Sequence, residues 1–77
     1  MADQLKKQSG REIIKILVNK FEFAPRHTKG SHVVLIKFVG NEKIGTVVPL
    51  HGEVKMSLLK EILKQARLTE EEFAQYQ

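Results

Sequence analysis

Residues 29–39 read Lys29-Gly30-Ser31-His32-Val33-Val34-Leu35-Ile36-Lys37-Phe38-Val39. From Val33 to Val39 every side chain except that of Lys37 is β-branched, aliphatic or aromatic, which is typical of one strand in a small sheet. A histidine stands at the start of this strand. We therefore expect the segment to form the centre of the fold, with the rest of the chain arranged around it.

The three residues before His32 predict a turn that can also bind an anion. Gly30 permits backbone angles that a side chain disfavours, and it lets a ligand approach the main chain closely. Lys29 adds a cation and Ser31 adds a hydroxyl group. A phosphate group is the ligand that this combination favours.

The length of 77 residues predicts one domain over residues 1–77, with a core but no deep pocket for a large cofactor. The sequence has no cysteine, which excludes disulfides and cysteine nucleophiles and fits a reducing compartment such as the cytosol. It also has no signal peptide and no run of membrane-spanning length. We therefore expect a soluble, cytoplasmic protein without a membrane partner.

The formal net charge of +4 is unevenly distributed. Residues 1–68 contain all 13 Lys and Arg but six of the nine acidic residues, a net of +7, and Glu70, Glu71 and Glu72 carry the remaining negative charges. A basic surface attracts polyanions, so nucleic acid is the leading partner class. Charge alone does not establish it, because many small basic domains bind no nucleic acid.

Helices are predicted on both sides of the central strand. Ser9 and Glu12 form a capping box, and the apolar spacing after it predicts a first helix over about residues 10–20. Ser57 is the expected N-cap of a second helix, and Thr69 begins another capping box and a short helix within residues 69–77. Residues 1–8 are expected to be flexible.

Two further strands are predicted, over residues 21–26 and 43–50. The second should pair with the central strand as a hairpin through Gly40-Asn41-Glu42. The order is then helix, three antiparallel strands, helix and short helix. It predicts an α+β two-layer sandwich in which both helices cover one face of a three-stranded antiparallel sheet and the other face stays open.

RNA cleavage is a chemistry that the sequence leaves open, although it has no hydrolase elbow, P-loop or dinucleotide motif. The 2′-hydroxyl group of RNA can attack the adjacent phosphorus once a base removes its proton, and an imidazole suits that step. His32 beside Lys29 fits this chemistry. Alternatively, His32 only makes local hydrogen bonds. Its strand parity, shared with Val34, Ile36 and Phe38, favours the more buried face. A histidine at the first strand position can instead project past the sheet, because of strand twist and edge effects, so its exposure stays open.

Metal chemistry is not expected. His27, His32 and His51 are separated by five and 19 positions, and they lack the i, i+4 pairing of a helical zinc motif. This spacing does not support a metal site, and no cofactor is expected.

Three short elements carry a family resemblance. Residues 30–32 read GSH, residues 48–52 read VPLHG and residues 62–66 read ILKQA. Together they resemble the HicA family, the small toxins of bacterial and archaeal toxin–antitoxin systems, and the resemblance extends over residues 9–73. It implies a fold similar to the double-stranded-RNA-binding domain, an mRNA interferase activity that does not need the ribosome, and a HicB-type antitoxin as the neutralising partner.

The resemblance also assigns roles to individual residues. His32 matches the catalytic histidine of the family's G-S-H element, Gly30 and Ser31 match its flanks, and Lys29 fits a basic position often found before it. Many members have a second histidine where this chain has Val33, a difference that would remove an accessory proton donor. His51 is a candidate accessory residue, or equally a local hydrogen-bond partner.

A basic stripe on the second helix is the other candidate substrate contact. Lys60, Lys64 and Arg67 follow one another at steps of four and three. Many family members have glycine in place of Arg67. The stripe is expected either to follow RNA phosphates or to be an ordinary solvated helix surface.

The sequence thus supports one leading hypothesis and two alternatives. The first is an RNA-cleaving toxin that uses His32 as general acid or base. The second is a non-catalytic RNA- or protein-binding module of the same fold, and the third is an interaction domain with an incidental basic surface. The first two both predict salt-dependent RNA binding, so only cleavage separates them.

Overall fold

The computed structural model describes residues 4–77. Three antiparallel strands form one sheet in the order β1-β2-β3, so the predicted α+β architecture is confirmed. None of the helices in the described range is long and apolar enough to cross a membrane. The elements are α1 (Gly10–Phe21), β1 (Ala24–Lys29), β2 (His32–Val39), β3 (Glu42–Pro49), α2 (Met56–Gln65) and α3 (Glu70–Ala74).

One face of the sheet packs against the helices. Val33 and Leu35 of β2 pair with Val48 and Thr46 of β3, and all four side chains are buried. Cross-strand partners share a face, so this is the helix-covered side. The helices contribute five buried side chains to the same core: Ile13 and Leu17 of α1, and Leu59, Ile62 and Leu63 of α2.

The structure contradicts the parity argument for a buried His32 and agrees with the alternative that leaves it accessible. His32 is exposed, and the partly buried Val34 and Ile36 and the exposed Phe38 follow it on the open face. Strand β2 has apolar side chains on both faces, so its residue types do not indicate which face packs against the helices. The positions of α1 and α2 determine which face is buried.

Two-residue turns set the register of both hairpins. Gly30-Ser31 joins β1 to β2, and Gly40-Asn41 joins β2 to β3. In each turn the glycine has a positive φ, 61° for Gly30 and 62° for Gly40, and the residue after it does not. This is the pattern of a type II′ turn, which requires glycine at its first central position.

The first strand begins three residues later than the predicted range of 21–26. Helix α1 continues to Phe21, whose ring stacks on that of Phe73 at 6.2 Å and meets the edge of Tyr76 at 5.5 Å. Glu22 then takes a left-handed conformation, and Phe23 enters the core. The aromatic contacts come from α3 and the residues after it, so the local alternation of residues 21–26 does not predict them.

Both predicted capping boxes are present. Ser9 caps α1 with Glu12, and Thr69 caps α3 with Glu72. Hydrogen bonds from the backbone N–H and hydroxyl group of Thr69 lower the pKa of the Glu72 carboxyl group. Helix α3 is therefore fixed by its own first turn, although it has only five residues.

The predicted cap of α2 is wrong. The helix begins at Met56, its N-cap is Lys55, and no side chain caps it. The preceding Val54 is 1% exposed, and its N–H donates to the Gln8 carbonyl oxygen at 2.8 Å. This anchoring fixes where the chain can enter the helix, so α2 starts one residue before Ser57.

The N-terminal segment is joined to the C-terminus. The Gln77 side chain accepts a hydrogen bond from the Lys6 N–H and donates to the Lys6 carbonyl oxygen, both at 2.8 Å. Leu5 packs against the core. Residues 5–8, expected to be flexible, thus contact the domain, and residues 1–3 of that expectation lie outside the described range.

Gly10 brings the start of α1 against the end of β3. Its N–H donates to the His51 carbonyl oxygen at 2.9 Å. A Cβ atom at this position would lie 1.8 Å from the Pro49 carbonyl oxygen and 2.9 Å from its carbonyl carbon. Both neighbours are main-chain atoms, so a side chain here has to displace the helix or the strand.

We expect Gly10→Ala to destabilise the domain by about 1–3 kcal/mol, the usual cost of overpacking. Alanine is the better helix former, so any loss must come from this contact. The matched control is Gly52→Ala, because no atom lies within 4 Å of a Cβ there. Urea unfolding of both variants is the measurement, and equal stabilities would contradict the prediction.

Candidate active site

The β1–β2 hairpin places Lys29 beside His32. The two residues are paired across the strands at the closed end of the hairpin, so their side chains share the open face, and both are exposed. Gly30 and Ser31 form the turn between them. The predicted phosphate-binding residues are therefore contiguous and accessible.

The loop after β3 brings His51 to the same place. The Leu50 N–H donates to the Ser31 carbonyl oxygen at 2.6 Å, and the Gly10 N–H holds the His51 carbonyl oxygen. The imidazole rings of His32 and His51 lie 6.4 Å apart between centroids, with 67° between their planes. Both rings can therefore reach oxygen atoms of one phosphate group.

Both histidines line a cleft of about 260 Å³ between the edge strand β3 and helix α2. The strand side is mainly apolar, and the helix side adds the carboxylate of Glu61 and the carboxamide of Gln65. Sequence analysis did not predict a role for either residue, although their i, i+4 spacing places them on one face of α2. The remaining lining residues are Val47, Pro49, Leu58, Glu61, Ile62 and Gln65.

A β-bulge adds His27 to the open face. The register of β1 shifts between Pro25 and His27, so that His27 lies opposite Val34. His27 does not line the cleft with His32. Within residues 4–77 no group of three or more His, Asp or Glu side chains is placed to hold a metal ion.

Position 33 faces away from the site. Val33 is 7% exposed and belongs to the helix-covered core, on the side of β2 opposite His32. The interpretation that valine at this position removes an accessory proton donor is therefore wrong, because an imidazole here would extend into the core.

The basic stripe does not meet the histidine cleft. Lys60 and Lys64 line a separate groove with Thr69 and Glu70 of the segment that begins α3. Arg67 forms an ion pair with Glu42, at the turn between β2 and β3. The structure thus brings together Lys29, His32 and His51 and leaves the stripe on another surface.

Apolar side chains extend from the histidines along the open sheet face. Phe38 is 58% exposed and Val47 is 42% exposed, with Val34 and Ile36 partly buried beside them. We call Val34, Ile36, Phe38 and Val47 the apolar sheet patch. A neighbouring set of exposed apolar side chains is often a protein-interaction surface.

Comparison with family models gave one match. The model described as "HicA toxin of bacterial toxin-antitoxin" matches residues 10–68, well over half of the chain. The match runs from α1 through α2 and includes both His32 and His51. Comparisons with curated proteins and with solved structures gave no match.

Arg67 has a structural position at the end of α2. Its φ is +59°, the left-handed region, and its N–H donates to the Lys64 carbonyl oxygen while the Leu68 N–H donates to that of Leu63. These two bonds form a Schellman motif, whose left-handed residue is usually glycine.

We expect Arg67→Gly to raise the free energy of unfolding by about 1 kcal/mol. Relief of the left-handed strain is worth roughly 1–2 kcal/mol, and the exposed ion pair with Glu42 contributes about 0.2–1 kcal/mol. Arg67→Ala is the control, since it loses the ion pair and keeps the strain. Thermal unfolding compares them, and a destabilised glycine variant would show that the ion pair dominates.

Proposed function

The chain belongs to the HicA toxin family, and from this premise we propose that it is a metal-independent endoribonuclease that cleaves mRNA. The observation that carries the proposal is the exposed pair of imidazole rings, 6.4 Å apart beside a lysine. Two proton-transfer groups and one cation are what RNA cleavage through the 2′-hydroxyl group requires.

In the proposed reaction, His32 removes the proton from the 2′-hydroxyl group. The 2′-oxygen then attacks the adjacent phosphorus, and the bond from phosphorus to the 5′-oxygen breaks. Protonated His51 donates its proton to the departing 5′-oxygen. The products are a 2′,3′-cyclic phosphate and a 5′-hydroxyl end, and the proton gained by His32 balances the one lost by His51.

Lys29 and the turn after it supply the electrostatic part of the mechanism. The ammonium group of Lys29 stabilises the negative charge that develops on the phosphorane, because it lies on the same face as His32. Gly30 leaves the turn open, since no atom lies within 4 Å of a Cβ at that position. The scissile phosphate can therefore approach the backbone of Gly30 and Ser31 closely.

We propose a secondary role in RNA binding for the stripe on α2. Lys60 and Lys64 lie outside the histidine cleft and would contact backbone phosphates of the strand beyond the cleavage site. Arg67 would have to leave Glu42 to join them. Their contribution is then to affinity and to its salt dependence, not to the chemical step.

Membership of the family implies an antitoxin partner. We propose that a HicB-type antitoxin covers the open sheet face, using apolar contacts to the apolar sheet patch and acidic groups near Lys29. Such an arrangement would block access to His32, because patch and histidine share one face. Toxin, antitoxin and mRNA would meet in the cytoplasm, which also fits a chain without cysteine.

The first test is cleavage of a labelled single-stranded RNA by the purified protein in the presence of a chelator. We expect His32→Ala to lower the cleavage rate at least 100-fold, in line with the usual contribution of a general base. His27→Ala is the matched control, because His27 lies on the same sheet face outside the cleft. The 5′-fragment from the native protein should end in a 2′,3′-cyclic phosphate.

The same experiment decides between the alternatives. Equal cleavage by the native protein and by folded His32→Ala would assign the activity to a contaminant or another site. RNA binding without cleavage by the native protein would favour the non-catalytic module. Absence of both binding and cleavage would favour an interaction domain whose basic surface is incidental.

A second test concerns the antitoxin surface. We expect Phe38→Ser to weaken antitoxin binding about tenfold or more, since burial of a phenylalanine side chain is worth roughly 1.5–3 kcal/mol. Val39→Ser is the control, because Val39 is similarly exposed, at 52%, but has the opposite strand parity. Titration calorimetry with the purified antitoxin gives both affinities, and equal losses would place the interface elsewhere.

A further inference from the structure

The proposed reaction leaves one side chain in the cleft unexplained. Glu61 lines the same cavity as His32 and His51, yet a carboxylate next to a phosphate-binding site repels the substrate. Within residues 4–77 the only ion pair is that of Arg67 with Glu42, so Glu61 has no direct ion-pair partner, although it also borders the groove lined by Lys60 and Lys64. A carboxylate at this position in the cleft suits a ligand that presents hydrogen-bond donors to Glu61.

Gln65 lies one helical turn further along the cleft, with its carboxamide group already oriented. Its Oε1 atom accepts a hydrogen bond from the Thr46 hydroxyl group at 2.9 Å, and Thr46 is 2% exposed. The Nε2 group has no acceptor within the described part of the chain. A buried partner thus holds one end of the amide and leaves the other as a donor for a ligand.

The two helix residues can contact one flat group together. Side chains at i and i+4 of a helix lie on one face, with about 5–6 Å between their Cβ atoms. The walls of the cleft are Val47 and Leu58, which are 42% and 38% exposed, and Pro49. At about 260 Å³ the cleft is smaller than sites for drug-sized ligands, and it suits one planar heterocycle.

We propose that this cleft is a nucleobase subsite that selects guanine in the nucleotide next to the scissile phosphate, an inference that rests on the proposed RNA-cleaving function. Single-stranded RNA is usually recognised through the Watson–Crick edges of unstacked bases held between apolar or aromatic groups. Apolar walls, a carboxylate and a free amide donor are the parts that such recognition needs. Because His32 and His51 line this cleft, a nucleobase bound in it would lie beside the phosphate group that reacts.

Guanine is the base whose edge matches both side chains. Its N1–H and N2 amino group are adjacent donors, which fit the two oxygens of the Glu61 carboxylate, and its O6 accepts from Nε2 of Gln65. Adenine and cytosine place a ring-nitrogen lone pair against the carboxylate, and uracil offers it one donor only. A site built to hydrogen-bond a group rejects analogues that lack it, because its own polar groups are then left unpaired.

Two sets of four RNA substrates test this assignment: the base 5′ to a single cleavable position varies in one set, and the base 3′ to it varies in the other. We expect the native protein to cleave the guanosine substrate at least tenfold faster than the other three, the usual size of discrimination by one bidentate contact. Inosine, which lacks only the N2 amino group, should give an intermediate rate. Similar rates with all four bases at both positions would overturn the proposal.

Glu61→Gln is the decisive variant, and Glu70→Gln on α3 controls for the loss of one negative charge. We expect Glu61→Gln to reduce the ratio of guanosine to adenosine cleavage to within about threefold of unity, with the ratio unchanged in Glu70→Gln. Loss of a negative charge by itself should change the cleavage rates of all four substrates by the same factor. The ratio of guanosine to adenosine cleavage therefore separates base recognition from a general electrostatic effect. An unchanged ratio in Glu61→Gln would also overturn the proposal.

Nucleotide binding tests the subsite without any cleavage. We expect guanosine monophosphate to shift the NMR signals of the Val47 and Leu58 methyl groups at lower concentrations than the adenosine, cytidine and uridine monophosphates, and Glu61→Gln to remove the difference. This result in a protein that cuts no RNA would retain the subsite and reject the catalytic function. Cleavage with no methyl shifts at millimolar guanosine monophosphate would reject the subsite alone.

Discussion

The contact between the start of α1 and the end of β3 is the constraint on which the site depends. Gly10 lies so close to Pro49 that a Cβ atom would fall 1.8 Å from the carbonyl oxygen, and its N–H holds the His51 carbonyl oxygen. The Ser31 carbonyl oxygen accepts from Leu50 on the other side of the same loop. These contacts join the first helix, the hairpin turn and the loop after the sheet, and so fix His51 opposite His32.

The open face of the sheet combines two properties in one surface. The residues that follow His32 at alternate positions, Val34, Ile36 and Phe38, are apolar, and Lys29 is basic. The proposed RNA substrate and the proposed antitoxin would therefore compete for overlapping binding surfaces on the open sheet face. Such competition explains physically how a partner could silence the chemistry without changing the fold, because covering one face removes both the histidine and the lysine from solvent.

Several features of the candidate site could be predicted from the sequence. The turn chemistry of Gly30, the position of His32 at a strand start and the nearby Lys29 are local properties. The cross-strand pair of Lys29 with His32 was not predicted, because the first strand was expected to end at residue 26. The family elements also indicated His51. In contrast, Glu61 and Gln65 were not predicted, because their relevance depends on how α2 lies against β3. That packing depends on contacts between distant segments, such as the partly buried Thr46–Gln65 hydrogen bond.

By itself, the sequence determined the order of the elements, both capping boxes and the central strand, since each depends on residues close together in the chain. Tertiary structure alone decided which face of that strand is buried. Val33 and Val34 are chemically equivalent, and only the placement of the helices leaves His32 in solvent. Tertiary structure also decided that Arg67 pairs with Glu42 and that the two histidines meet, because each contact joins segments separated by 19 or more residues.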